Sequence, residues 1–196
     1  NAGDIVITAP MTSAEGVIAA NATVTNAGSF TLSTDFNAIG FDLTGAGSFD
    51  NSSAIEVTGA GGGSAEGVVL EGDGLSFHNS GDIHVAGGQY NVGVVWSFTT
   101  TLFQNDGSIV ADQARHGESV GLEFDLTADP HAVFDFGNTG LIKGHYAILD
   151  AGGMTSHIDN SGRLVGIVDL GEGDDQLVNA GRIKGAVHMG DGADHY

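Results

Sequence analysis

The chain has 196 residues, with 33 glycines, 2 prolines and no cysteine, and its 25 acidic residues against 5 basic ones leave a net charge of −20. That balance excludes a binder of nucleic-acid backbones, which needs a cationic surface, and the missing cysteines exclude a disulfide or thiolate–metal framework. The apolar runs are too short to span a membrane, yet a hydrophobic content of 41% is too high for a disordered acidic tail.

Read from the N-terminus, one unit recurs: apolar-x-Asn-x-Gly-x-apolar. It opens without its lead-in as Asn1-Ala2-Gly3-Asp4-Ile5. It returns around Asn26, Asn51, Asn79, Asn105, Asn138, Asn160 and Asn179, at intervals of 25, 25, 28, 26, 33, 22 and 19 residues. Only the Asn51 copy lacks its glycine and has Ser53 instead. Between successive units stands a second apolar block, such as Gly16-Val17-Ile18, Ile39-Gly40-Phe41, Gly67-Val68-Val69-Leu70 and Gly93-Val94-Val95-Trp96. Each period thus holds three short β-type stretches: after the Asn, in mid-period, and before the next Asn. All are bounded by Gly, Asn, Asp and Ser, and none shows a helical period.

Three strands per period, repeated, predict a parallel β-helix in which each strand pairs with its equivalent one turn on. A β-sandwich would not demand the same heptad eight times. Asn and Gly tolerate left-handed backbone and suit a tight corner. Stacked Asn amides can bond to each other, and Phe49, Phe77, Phe103 and Phe136 are expected to stack inside. About eight triangular coils at ~4.8 Å each would make one domain, a rod of roughly 38 Å. In the longest period, Arg115-His116-Gly117-Glu118 and Ala128-Asp129-Pro130-His131 are expected to project as loops. The chain starts and stops within a repeat, so a longer native chain or stacking of bare solenoid ends on another copy is expected.

The repeated Asn-Ser/Ala-Gly-x-Ile units resemble the passenger domains of bacterial autotransporters and related secreted β-helix adhesins, over essentially the whole chain. The resemblance implies a right-handed coil, export to the bacterial surface or the extracellular space, and a structural or adhesive role with self-association or surface glycans as partners. Its other branch is a carbohydrate-active β-helix enzyme, a polysaccharide lyase or glycoside hydrolase. A second resemblance lies in Gly171-Glu172-Gly173-Asp174-Asp175-Gln176-Leu177 and Gly190-Asp191-Gly192-Ala193-Asp194-His195-Tyr196, which look like calcium-binding nonapeptide repeats, although Leu170 and Met189 stand where that pattern has a further Gly. This implies Ca²⁺ between the two turns, with Asp175 and Asp194 as carboxylate ligands and Gly171, Gly173, Gly190 and Gly192 exposing carbonyls; hard oxygen donors suit that ion.

Two other groupings bear on function. Tyr90, Trp96 and Phe98 share one coil. With Trp96 pointing outward they could stack on a sugar ring; with Trp96 turned the other way it covers an apolar groove. Arg163 and Arg182 follow the Asn corner, and Lys143 and Lys184 share an outward strand position, which makes a small basic strip on an acidic rod. No hydrolase elbow or zinc-protease helix motif occurs.

Overall fold

The computed structural model describes residues 1–97, 102–114, 117–124 and 133–196. They form a parallel β-solenoid without helix. The first face carries the strands that follow each Asn corner, from Ile5–Ala9 through Phe30–Thr34, Ala54–Gly59, Asp82–Ala86 and Ser108–Ala111. The second face carries the mid-period strands Ala14–Ala20, Ala38–Thr44, Ser64–Glu71, Tyr90–Trp96 and Ser119–Phe124. The third carries Thr23–Asn26, Gly47–Asn51, Leu75–Asn79, Leu102–Asn105, Val133–Asn138, Thr155–Asn160 and Gln176–Asn179, seven strands and hence six complete turn-to-turn steps among the described residues. The two stretches expected as projecting loops lie partly or wholly outside the described residues, as does Phe98.

In the shorter periods the first and second faces merge. Leu141–Asp150 and Arg163–Asp169 each run through both, with register shifts between Lys143 and Tyr146 and again before Ile148. Periods of 22 and 19 residues have too few residues for a separate corner, so the strand bends instead, at Gly144 and Gly166. The φ of Gly166 is 136°.

Register explains the core. On the first face Phe30, Ile55, Ile83, Ile109, Ile142 and Leu164 stand one above another, all fully buried. On the second, Phe41, Val68, Val94, Leu122, Ile148 and Val168 do the same. On the third, Phe49, Phe77, Phe103 and Phe136 form the expected ladder, continued by Ile158 and Leu177. Each inward side chain meets a like shape one strand spacing away, which is what fills a solenoid without voids. Phe103 is the hub, with ring centroids at 4.3 Å from Phe77, 5.1 Å from Phe136, 5.4 Å from Trp96 and 5.8 Å from Phe134. Phe103→Ala is therefore expected to destabilise the chain by roughly 3–5 kcal/mol, read from urea unfolding.

The corners are held by asparagine. Each side-chain amide donates to the Oδ1 of the Asn one turn on, unbroken from Asn1 through Asn26, Asn51, Asn79, Asn105, Asn138 and Asn160 to Asn179, at 2.7–2.9 Å. Five of these residues, Asn26, Asn51, Asn79, Asn105 and Asn138, are at most 1% exposed. The glycine two places on is required by close approach: a Cβ at Gly140 would run into the Gly107 carbonyl, and one at Gly162 into that of Gly140. Among the described residues no helix is long and apolar enough to cross a membrane.

Candidate functional site

The two C-terminal acidic turns sit one above the other, bridged by Glu172 with Asp191 and by Gln176 with His195. Gly171 and Gly190 turn the corner with φ of 74° and 92°, a conformation open to glycine at little cost. The carboxylates act on the backbone. Asp175 Oδ1 accepts the Ser156 N–H at 2.7 Å, Asp194 Oδ1 accepts the Asp175 N–H at 3.1 Å, and Asp174 Oδ1 accepts the Ala193 N–H at 2.9 Å. The Gly171 carbonyl accepts the Asp191 N–H at 2.9 Å, and the Asp191 carbonyl accepts the Gly173 N–H at 3.0 Å. Calcium takes roughly six to eight oxygens aimed at one point. Here Asp175 and Asp194 aim at the backbone of successive turns, and among the described residues no three His, Asp or Glu side chains are grouped so as to hold a metal ion. In this arrangement the carboxylates of Asp175, Asp194 and Asp174 cap the backbone of the corner.

Asp175 has a further property. It points inward, two places before the core residue Leu177, and is 1% exposed. Its Oδ2 and the nearby Ser156 Oγ are buried without a hydrogen-bond partner. Burial above all, then the charges of Asp150, Asp194 and Asp174, push its carboxyl up to about 7 against the pull of the Ser156 N–H. Asp150 stands in an inward column beside Phe124 and accepts N–H bonds from Gly152, Gly153 and Met154 at 2.7, 2.9 and 3.3 Å. Burial raises its pKa as well, and those three bonds oppose the rise.

The aromatic grouping takes a different form from the sugar-stacking one. Trp96 aligns with Leu70 and Phe124 in an inward column and is 1% exposed. Its face is covered by the core, so it offers no platform to a ligand. Tyr90 is half-buried and donates its hydroxyl to Glu123 Oε1 at 2.8 Å; burial, then Glu123, raise its pKa.

Histidines tie acidic residues of neighbouring turns on the outer surface. His84 places Nδ1 2.7 Å from Glu56 Oε2 and Nε2 3.0 Å from Asp112 Oδ2. Carboxylates only accept, so both contacts are satisfied together by the imidazolium with two N–H groups. These two carboxylates raise its pKa, outweighing the lowering by partial burial. His78 lies between Asp50 and Asp106 in the same way, at 3.7 and 3.1 Å. The basic strip is in the expected register, with Arg163 beside Arg182 and Lys143, Val165 and Lys184 in line. Lys143 reaches Asp112 at 3.7 Å.

One concavity was not anticipated. On the outer surface of the third face, the column that holds Asp50, His78 and Gln104 reaches Gly137 and then continues with Asp159 and Val178. Gly137 has no side chain, which leaves a trough between Gln104 and Asp159. Two adjoining hollows of about 360 and 340 Å³ share Gln104, Gly137, Asp159 and Val178. One end holds the Asp135–His157 pair, at 3.2 Å; the other reaches Thr139 and Ser161 at the Asn corner.

No protein-family model, curated protein or solved structure matches the chain.

Of the residues singled out from sequence, the fold brings Gly171, Gly173, Asp175, Gly190, Gly192 and Asp194 together at one corner, and it separates Trp96 from the surface. The signal for the trough was present but weak: among the residues that directly precede each corner Asn, from Thr25 to Val178, Gly137 is the one glycine. Its meaning emerges only when the turns are stacked.

Proposed function

We propose that the chain is a right-handed solenoid of about eight coils that serves as a structural and adhesive module on the surface of a bacterium or in its surroundings. The observation that carries this reading is the asparagine ladder, which runs through successive turns together with a continuous core. Such a body is stiff, and its outward positions are left free to vary. The acidic surface keeps it dispersed among other anionic polymers. Surface digestion tests the reading. On intact producing cells, added protease should remove the chain while cytoplasmic markers survive; protection until lysis would overturn it.

End-to-end self-association is the second reading, favoured by the polarity of the ladder. Every turn passes an amide N–H to the Asn oxygen of the next, the complementarity that a head-to-tail stack of copies would use. Electron microscopy of the purified chain separates the two: particles much longer than one chain support stacking, and dispersed short particles at all concentrations reject it.

A further inference from the structure

We infer that the trough over Gly137 is a binding site for an uncharged polysaccharide, an inference that rests on the adhesive reading and names its ligand class. The trough follows the strand direction. From Asp135 to the corner at Thr139 it covers about five residues, or roughly 16 Å, the length of a few sugar rings. Across it, Gln104 and Asp159 are two strand spacings apart, about 10 Å, so a pyranose ring fits between them. Gln104 leans over Gly137 with its Nε2 donating to Asp106 Oδ1 at 2.7 Å. That bond orients the amide and leaves Oε1 facing the trough as an acceptor. Asp159 and Asp135 add carboxylate acceptors, and His157 adds a ring nitrogen. Exposed Leu102 and Val178, at 53% and 50%, supply apolar contact for the hydrophobic face of a sugar. A lining rich in acceptors suits hydroxyl groups, which donate. It repels uronates, sulfates and phosphates, because the lining has no lysine or arginine and the basic residues Lys143, Arg163, Arg182 and Lys184 belong to first-face strands.

The test is Gly137→Asn. Gly137 does not have a positive φ, and the nearest obstacle to a Cβ is the movable end of Gln104, so the substitution plugs the trough without straining the backbone. Affinity electrophoresis through gels holding hydroxyethyl cellulose, galactomannan, dextran or polygalacturonate reads the binding. The unmodified chain should be retarded by at least one of the three neutral polymers and not by polygalacturonate. Gly137→Asn should weaken that retardation at least tenfold with an unchanged circular dichroism spectrum and Tm, and Arg163→Ser should leave it intact. If Gly137→Asn unfolds the chain, Asp159→Ala, at an exposed outward position, takes its place with the same expectation. No retardation by any neutral polymer, retardation that survives plugging, or retardation by polygalacturonate alone would each overturn the site. Such a failure leaves surface exposure, read by protease digestion, untouched, so the two readings fall separately.

Discussion

Asn105→Leu is expected to lower the unfolding free energy by roughly 3–6 kcal/mol, since each buried polar group left without a partner costs about 1–3 kcal/mol. Asn105 is fully buried. It accepts from Asn79 Nδ2 and donates to Asn138 Oδ1, both at 2.8 Å, and its amide also reaches the Leu141 carbonyl at 3.3 Å. A leucine keeps the volume and removes these bonds, with a fourth to the Gly107 carbonyl at 3.4 Å, in the middle of the rod. Asn179→Ala is the control. Asn179 is exposed and accepts from Asn160 at 2.7 Å, so water replaces what is lost and the cost stays below ~1 kcal/mol. Chemical unfolding of both variants at one pH decides. Equal small losses would mean that the apolar columns alone set the register and the ladder only decorates it.

That contrast is also where the sequence was most informative. Asn-x-Gly recurring at intervals of 19 to 33 residues carries both the corner and the stacking, because only a short amide can donate to and accept from its own copy. The Phe ladder was legible for the same reason: Phe49, Phe77 and Phe103 each stand two places before the Asn. Trp96 was ambiguous because an indole suits either a core or a sugar. Its alignment with Leu70 two places after a Val in the preceding block pointed inward. Asp175 was read through its glycine neighbours as a ligand, while its parity with Leu177 placed it inside, in a column where Phe134 and Ser156 precede it. Composition resists that placement, since a buried carboxylate is rare. The trough had only a weak local signal, the single glycine before a corner Asn, because it is made by the absence of a side chain between residues 33 and 22 places away in the chain.

Asp175→Asn is expected to stabilise the chain at pH 8 and to change little near pH 4. The carboxyl of Asp175 is raised from the ordinary 3.8 to about 7. The folded state therefore holds a proton that the unfolded chain has released, and stability falls as pH rises from about 4 to 7. At ~1.4 kcal/mol per pH unit, keeping the charged form buried costs on the order of 4 kcal/mol. His84 acts in the same direction: its raised pKa means its pairing with Glu56 and Asp112 stabilises below its unfolded value of 6.5 and is lost as pH rises through the folded value. Asp106 opposes both. Its hydrogen bonds from Gln104, Thr139 and His78 lower its pKa, so its contribution disappears as pH falls below 3.8. The unmodified chain is thus most stable in mild acid. Asparagine keeps the acceptor for the Ser156 N–H and removes the charge, raising Tm at pH 8 by roughly 10 °C and flattening the pH profile. Scans with calcium and with chelator give the same Tm on this account. A calcium-dependent rise in the unmodified chain that vanishes in Asp175→Asn would instead make Asp175 a ligand.

On the proposed reading the solenoid holds a polymer without cutting it. Prolonged incubation with each neutral polysaccharide, followed on one sample by sedimentation of the bound chain and by assay of new reducing ends, tests that most directly. The account predicts chain retained with the polymer and no reducing ends above the blank. Reducing ends that accumulate in proportion to protein and time would contradict it and make the trough an active site.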